Sequence, residues 1–372
     1  MNSAIVFVWL TFSYTYRICP IQIATTVKYL TAIFLIVLSF TGATTTVAQV
    51  FSKPVNDTNY YKTYPGSITA RFYFSQKYTA FTLQDKEASN LQYLPNTTLN
   101  MGVGATYHNF SLNLAYGFGF LNQDKEKGNT KYLDLQGHFY KPRWVIDFDG
   151  QLYKGYHLKQ KGIAVDNPYA FYYRNDARVN LFGLSAYRVF NSNRFSYRAA
   201  IIQNEWQKKS AGTFLAGAEA YYGIMNADSS WVPATLVNEY AKRDITTINY
   251  FSIGPGIGYA YTAVAFQHLF LTGSLTGNLN VSYTTETTND NKKQNKFSLN
   301  PVARFRVAAG YNSNTWNVSV NWVADRLPFK GYAGGGDYLL QTGNYRFILA
   351  KRLMPGPKLK KHLRLADKVF KE

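Results

Sequence analysis

Between Thr98 and Phe120 apolar and polar residues alternate almost without interruption. Leu99, Met101, Val103, Ala105 and Tyr107 are interleaved with Thr98, Asn100, Gly102, Gly104 and Thr106. After His108-Asn109 the pattern resumes, with Phe110, Leu112, Leu114, Tyr116, Phe118 and Phe120 against Ser111, Asn113, Ala115, Gly117 and Gly119. A period of two puts successive side chains on opposite faces of an extended strand. His108-Asn109 suits a two-residue hairpin loop, because Asn tolerates the positive φ such turns need. Closing the hairpin there pairs Tyr107 with Phe110 and Val103 with Leu114, so both apolar rows share one face. Each strand has about the length a tilted strand needs to cross a bilayer. The opposite face is small and polar, which fits a wet lumen better than the core of a soluble sandwich.

Composition agrees. Tyr 31, Phe 26 and Trp 6 in 372 residues bring aromatics to 17%, while mean hydropathy is slightly below zero. That combination suits an outer-membrane barrel, whose polar interior offsets its lipid-facing residues. The net charge of +19 is spread over turns, strands and a tail with no nucleic-acid motif, so no nucleic-acid partner is expected. The single cysteine, Cys19, precedes the expected cleavage site. The mature chain is therefore expected to lack disulfides.

In chain order, residues 1–48 read as an export signal with a long leader, which an upstream start-codon assignment explains. Its apolar run is Leu30–Phe40, and the cleavage site follows Thr46-Val47-Ala48. Residues 49–65 read as a polar periplasmic lead-in, 66–352 as the barrel, and 353–372 as a basic periplasmic tail. The first strand begins at Ile68 and continues through Tyr78–Leu83. Asp85–Asn96 reads as a loop. Leu133–Phe139 and Trp144–Leu152 alternate across a Lys141-Pro142 turn. Further strands are expected at Ala177–Val189, Arg194–Ile202, Thr213–Ile224, Ile245–Tyr261, Phe266–Val281, Phe297–Tyr311, Trp316–Asp325 and Asp337–Ala350. Asn191–Asn193 and Asn312–Asn314 read as tight turns. Long polar links lie at Tyr156–Asp176, Asn226–Asp244, Ser282–Lys296 and Arg326–Gly336. The fold class is all-β: a transmembrane antiparallel up-and-down barrel. The segments number thirteen, an odd count that a barrel with both ends on one side does not allow. About twelve strands are expected, with fourteen the alternative, and the miscount is placed near Ser75–Lys77 or Gln203–Gly212.

Several segments carry a family resemblance: Tyr60–Pro65 (YYKTYP), Lys77–Thr79, Tyr93–Thr98 (YLPNTT), Gly102–Ala105, Asn191–Ala199 (NSNRFSYRA) and Trp206–Gly212 (WQKKSAG). Through them the chain resembles a family of Bacteroidota outer-membrane proteins catalogued as domain of unknown function 4421. The resemblance implies a barrel and a surface location, and it brings no catalytic residues.

Candidate chemistry concentrates on the polar face. The Lys141-Pro142 turn sets Asp134 opposite Asp149 and Gln136 opposite Asp147, with His138 beside them. Facing carboxylates resist joint ionisation and suit acid–base work or a cation. The plainer reading pairs them with lumen arginines, for which Arg71, Arg198, Arg304 and Arg306 are the candidates. Tyr169, Phe171, Tyr172 and Tyr173 form a loop aromatic cluster, suited to stacking on sugars or to an interfacial girdle. A lipase-like arrangement needs a lipid-facing His beside a Ser, and His157 and His268 are the rim candidates. No metal-ligand spacing occurs, and no cofactor is expected.

Three functions are compatible with these residues. They are a narrow pore or ligand-binding barrel, a lipid- or envelope-modifying enzyme, and a structural or assembly partner. Outer-membrane lipid and the barrel-assembly machinery are the expected contacts. Leu359, Leu363, Ala366 and Phe370 recur at helical spacing among cations. The tail is thereby suited to a periplasmic partner or to anionic lipid.

Overall fold

The computed structural model describes residues 56–108, 110–118, 124–241, 244–332, 336–360 and 363. The expected export signal and most of the tail lie outside them. Strand β1 is Tyr61–Thr63, β2 is Ile68–Asp85, β3 is Leu91–Leu94, β4 is Asn100–Tyr107 and β5 is Phe110–Gly117. Then come β6 (Lys131–Lys141), β7 (Trp144–Lys161), β8 (Phe171–Val189), a helical turn α1 (Tyr197–Ala200) and β9 (Glu205–Gln207). The last six strands are β10 (Ala211–Asn226), β11 (Ile245–Ala265), β12 (Leu269–Thr288), β13 (Lys293–Asn312), β14 (Trp316–Lys330) and β15 (Gly336–Leu353).

One antiparallel sheet of 13 strands forms the wall. Its ring closes because β15 pairs with β2 along its whole length, from Gly336↔Asp85 to Leu353↔Ile68. Ten strands make the ring, which passes from β2 through β3 to β7, and β4, β5 and β6 stand outside that path. At the end carrying the long loops, β3 alone joins β2 to β7, through Phe81↔Tyr93 and Tyr93↔Leu158. At the end carrying the short turns, β4 continues the wall from β2, β5 follows β4, and β6 lines β7. Among the described residues no ladder joins β5 to β6.

The organising hairpin forms as its alternation requires. Tyr107 faces Phe110 and Val103 faces Leu114, with His108 at φ 51° in the turn. Val103, Leu112, Leu114 and Tyr116 point outward and are exposed, as are Leu271, Leu275, Leu279 and Val281 of β12. These rows form the lipid-facing belt of a transmembrane barrel.

The odd count has a physical cause. Arg194–Ile202 is not a strand. With Asn191–Asn193 it opens a segment that turns back into the barrel mouth, through α1 and then β9, which pairs with β1. Ser196 caps α1, its hydroxyl accepting from the Ala199 amide. Alternation over Arg194–Ile202 mimicked a strand because the segment buries Phe195, Tyr197, Ala199 and Ile201. Setting β3 aside, the wall strands then run up and down twelve times from β2 to β15, so both ends lie on the turn side. Two short strands fell in regions read as loop or lead-in: β3 within Asp85–Asn96, and β1 within residues 49–65. After β15, residues 357–360 are helical, and the Lys360 amide donates to Gly356 O.

Candidate functional site

The barrel interior has three layers, each set by what the inward row of each strand carries. At the loop end the inward residues are large and apolar. Phe81, Tyr93, Met225, Ile248, Leu327, Tyr338 and Leu340 are fully buried around Trp231, which the β10–β11 connection inserts between them. Trp231 meets Phe81 at 4.8 Å and Tyr93 at 5.2 Å between ring centres. Its indole nitrogen donates to Thr246 O at 3.1 Å. The expectation of a small, polar lumen face fails here. Near β4 and β5 the inward row is Gly and Asn, but the longer strands change character toward the loops.

The middle layer is a buried charge network. Arg304 Nε donates to Asp325 Oδ1, and Arg304 Nη2 reaches Asp325 Oδ2 and Asp149 Oδ2, both at 3.1 Å. Its Nη1 donates to Ser185 Oγ at 2.6 Å and lies 3.5 Å from Asp147 Oδ2. Arg306 Nη2 donates to Asp147 Oδ2. The other Asp147 oxygen meets His138 Nδ1 and accepts from the Tyr140 hydroxyl, both at 2.7 Å. Charges this deep survive only when paired and hydrogen-bonded. Here the guanidinium forks span β7, β13 and β14, tying opposite walls together.

Six expected residues, Gln136, His138, Asp147, Asp149, Arg304 and Arg306, come together in one cavity. The expected facing carboxylates do not. Lys141 pairs with Trp144, leaving Pro142-Arg143 as the loop, so Asp134 faces Gln151, Gln136 faces Asp149 and His138 faces Asp147. Moving the turn by one position shifts the pairing by two and preserves the faces. Asp134 instead holds Lys77 at 2.6 Å and accepts from the Tyr153 hydroxyl at 2.9 Å. Arg71 stands apart near the turn end. Arg198 is on α1 rather than on a strand, where it donates to His108 O at 2.9 Å and lies 3.5 Å from Glu205.

The sequence reading missed Asp325 and Glu219. Glu219 is buried and accepts weakly from Tyr187 and Tyr221, at 3.4 and 3.3 Å. The signal was available, since a lone carboxylate on the inward row of a strand needs a cation. Arg304 lies directly across from Asp325 in the β13–β14 ladder.

The third layer is a plug at the turn end. Phe195, Tyr197, Ala200, Ile201 and Ile202 pack with Tyr140, Val145, Tyr187 and Leu215 of the wall. The Tyr61 hydroxyl donates to Ser192 O at 2.8 Å. Arg352 donates to Gln203 O at 2.6 Å, Glu205 O at 2.7 Å and Asn312 Oδ1 at 2.9 Å. Burial raises the Tyr61 hydroxyl pKa above its ordinary value, and Glu205 adds to the rise.

The aromatic run is not a loop cluster. Tyr169 is exposed in the loop, but Phe171, Tyr172 and Tyr173 begin β8 and diverge. Phe171 packs on His157 at 5.1 Å and carries Lys161 at 4.9 Å. Tyr172 packs against the loop-end core. Tyr173 donates to Asn129 O at 2.6 Å. Both rim histidines pack against aromatic rings. His268 is stacked between Trp206 and Tyr311 at 5.1 and 5.2 Å, with Nδ1 2.9 Å from Asn312 O. His157 is buried beside a groove lined by Tyr78, Thr97 and Tyr345, and the Thr97 hydroxyl there donates to Lys77 O at 2.7 Å. Among the described residues no group of three or more His, Cys, Asp or Glu could hold a metal ion.

These layers define a transmembrane β-barrel stoppered by its own chain. Residues 55–347 match the family described as Domain of unknown function (DUF4421), and the chain belongs to that family. No curated protein matches it. Among solved structures it is similar to the outer membrane protease OmpT from Escherichia coli, at 14% identity, 78% of this chain, 96% of that one and a TM-score of 0.34. It is also similar to the outer-membrane expressed OmpT of Vibrio cholerae, at 9% identity over 77% and 98% of the chains with a TM-score of 0.27. The Pseudomonas putida toluene transporter TodX is 6% identical over 78% and 91%, with a TM-score of 0.24.

Proposed function

We propose that this is an integral protein of the outer membrane that works as a closed binding barrel and not as a standing pore. The observation carrying this reading is the series of two apolar seals, one around Trp231 and one around Phe195 and Tyr197, on either side of the Arg304–Asp147–Asp149–Asp325 network. A polar chamber sealed at both ends suits small-ligand capture and opposes free diffusion. Outer-membrane placement is supported by a ring of strands that closes from β15 to β2 and by its outward apolar belt. The chain leaves β15 at Leu353 on the turn side, and anionic lipid of the leaflet there is the proposed contact of the basic tail. Planar-bilayer recording tests the main reading. The purified protein should give no steady conductance, and a stable pore passing oligosaccharides would overturn it.

A further inference from the structure

We propose that the wall between β5 and β6 contains a binding site for a phosphate-class anion, formed by Arg71 and Arg346. The argument starts from charge. Arg71 points inward from β2 at 7% exposure, and every hydrogen bond it makes goes to a neutral group. These are Asn113 Oδ1 at 3.2 Å, Gln203 Oε1 at 3.1 Å, Ile202 O at 2.6 Å and Thr106 Oγ1. Arg346 points inward from β15. It lies over the Tyr73 ring at 5.0 Å, and its Nε has no hydrogen-bond partner. Two guanidiniums therefore line one cleft with no carboxylate bonded to either. The acids around them are already engaged: Asp134 holds Lys77, and Asp147 takes His138 and Arg306. An arginine removed from water without a counter-ion is costly, and a bound anion would remove that cost.

The space is present as well. Arg71 and Arg346 line one small polar cleft that opens to the outside. Ser111 and Asn113 of β5 form one side, Gln136 and His138 of β6 the other, and Ile201–Gln203 of the plug the back. Those two strands are the ones that no ladder joins among the described residues. The cleft thus lies behind a seam in the wall. It sits low in the barrel, since Arg71 is three residues from Ile68 at the start of β2, roughly 10 Å along the strand. That depth is close to the headgroups of the turn-side leaflet. Amide and hydroxyl donors from Asn113, Gln136 and Ser111 complete a set suited to phosphate oxygens, to which a guanidinium donates in bidentate fashion. Gly104 contributes by being small, because a Cβ there would lie 2.2 Å from Asn113 Oδ1 and displace it.

The anion can come from a phospholipid headgroup entering the seam or from free phosphate in the lumen. The site does not depend on whether the barrel conducts. The test uses the full chain in neutral detergent and compares the wild type with Arg71→Gln, Arg346→Gln, the double variant and Arg346→Lys. Retained heat-modifiable migration on gels identifies folded barrel. Phosphatidylglycerol is titrated by native mass spectrometry, and inorganic phosphate by calorimetry. A single lipid adduct that weakens about tenfold or more in each Gln variant, persists in Arg346→Lys and resists millimolar phosphate assigns the site to a lipid headgroup. Calorimetric binding of phosphate with the same variant pattern, and no arginine-dependent lipid adduct, assigns it to a free anion. If neither probe binds, or folded double variant binds both as the wild type does, the proposal is wrong.

Discussion

Single side chains divide sharply by which way they face. Leu275 lies midway along the outward row of β12, opposite Tyr259 and Phe305, and is half exposed to lipid. Leu275→Arg should cost roughly 2–4 kcal/mol, the usual penalty for a cation on a barrel's lipid face near mid-membrane, read by urea unfolding from vesicles. Arg304 is the inward counterpart. Removing it strands Asp149 and Asp325 in the middle layer, while Asp147 keeps Arg306 and His138. Arg304→Met should therefore cost about 3–5 kcal/mol, the range for breaking a buried ion pair. If Asp325→Asn is then added, part of that loss should return, because one orphaned charge has gone. A double-mutant cycle with no coupling would show that the two do not act as a unit. These faces were readable beforehand, since alternation gives the face of every residue in a long strand. The partners were not, because Arg304 meets Asp147 and Asp149 across the lumen, a contact set by ring closure and not by spacing in the chain.

At the scale of elements, the β4–β5 hairpin was legible down to its register because the alternation pauses at its turn, whereas the β6–β7 turn falls one position later than expected. The plug was not, because Arg194–Ile202 alternates like a strand and β9 is too short to show a period. Three segments that carry the family resemblance, Tyr60–Pro65, Asn191–Ala199 and Trp206–Gly212, meet in this plug through the β1–β9 ladder and the Tyr61–Ser192 bond. The raised Tyr61 pKa makes its attachment pH-dependent. A folded-state pKa above the unfolded value means that the stabilisation is fully present below about pH 10 and is lost as pH rises beyond it. Hydrogen exchange of the β9 amides should accelerate between pH 10 and 11 relative to that of β12, after correction for intrinsic rates. Tyr61→Phe should abolish the pH dependence, while exchange in β9 becomes uniformly faster at neutral pH. An unchanged pH response in that variant would assign the effect to another group.

For the whole molecule, the decisive property is that the two seals are in series. The plug holds Phe195, Tyr197, Ile201 and Ile202 buried at one mouth, and Trp231 closes the other through Phe81, Tyr93 and the stacked Tyr250, Phe329 and Tyr338. Each buried large side chain contributes on the order of 1.5–3 kcal/mol, so on the closed-barrel reading both seals are expected to stay shut. Two closed gates in series conduct only when both are open. Replacing residues 194–209 by a short Gly-Ser linker should therefore leave the bilayer silent, although it exposes the charge network from the turn side. Trp231→Gly with Tyr93→Ala should also stay silent, because the plug remains. The combined variant should conduct, with selectivity set by the uncovered ring of Arg304, Arg306, Asp147, Asp149 and Asp325. Heat-modifiable migration must show that each variant is folded before its recording is interpreted. Steady conductance from either single opening would mean that the other end is not a seal, and the closed-chamber reading would fall with it.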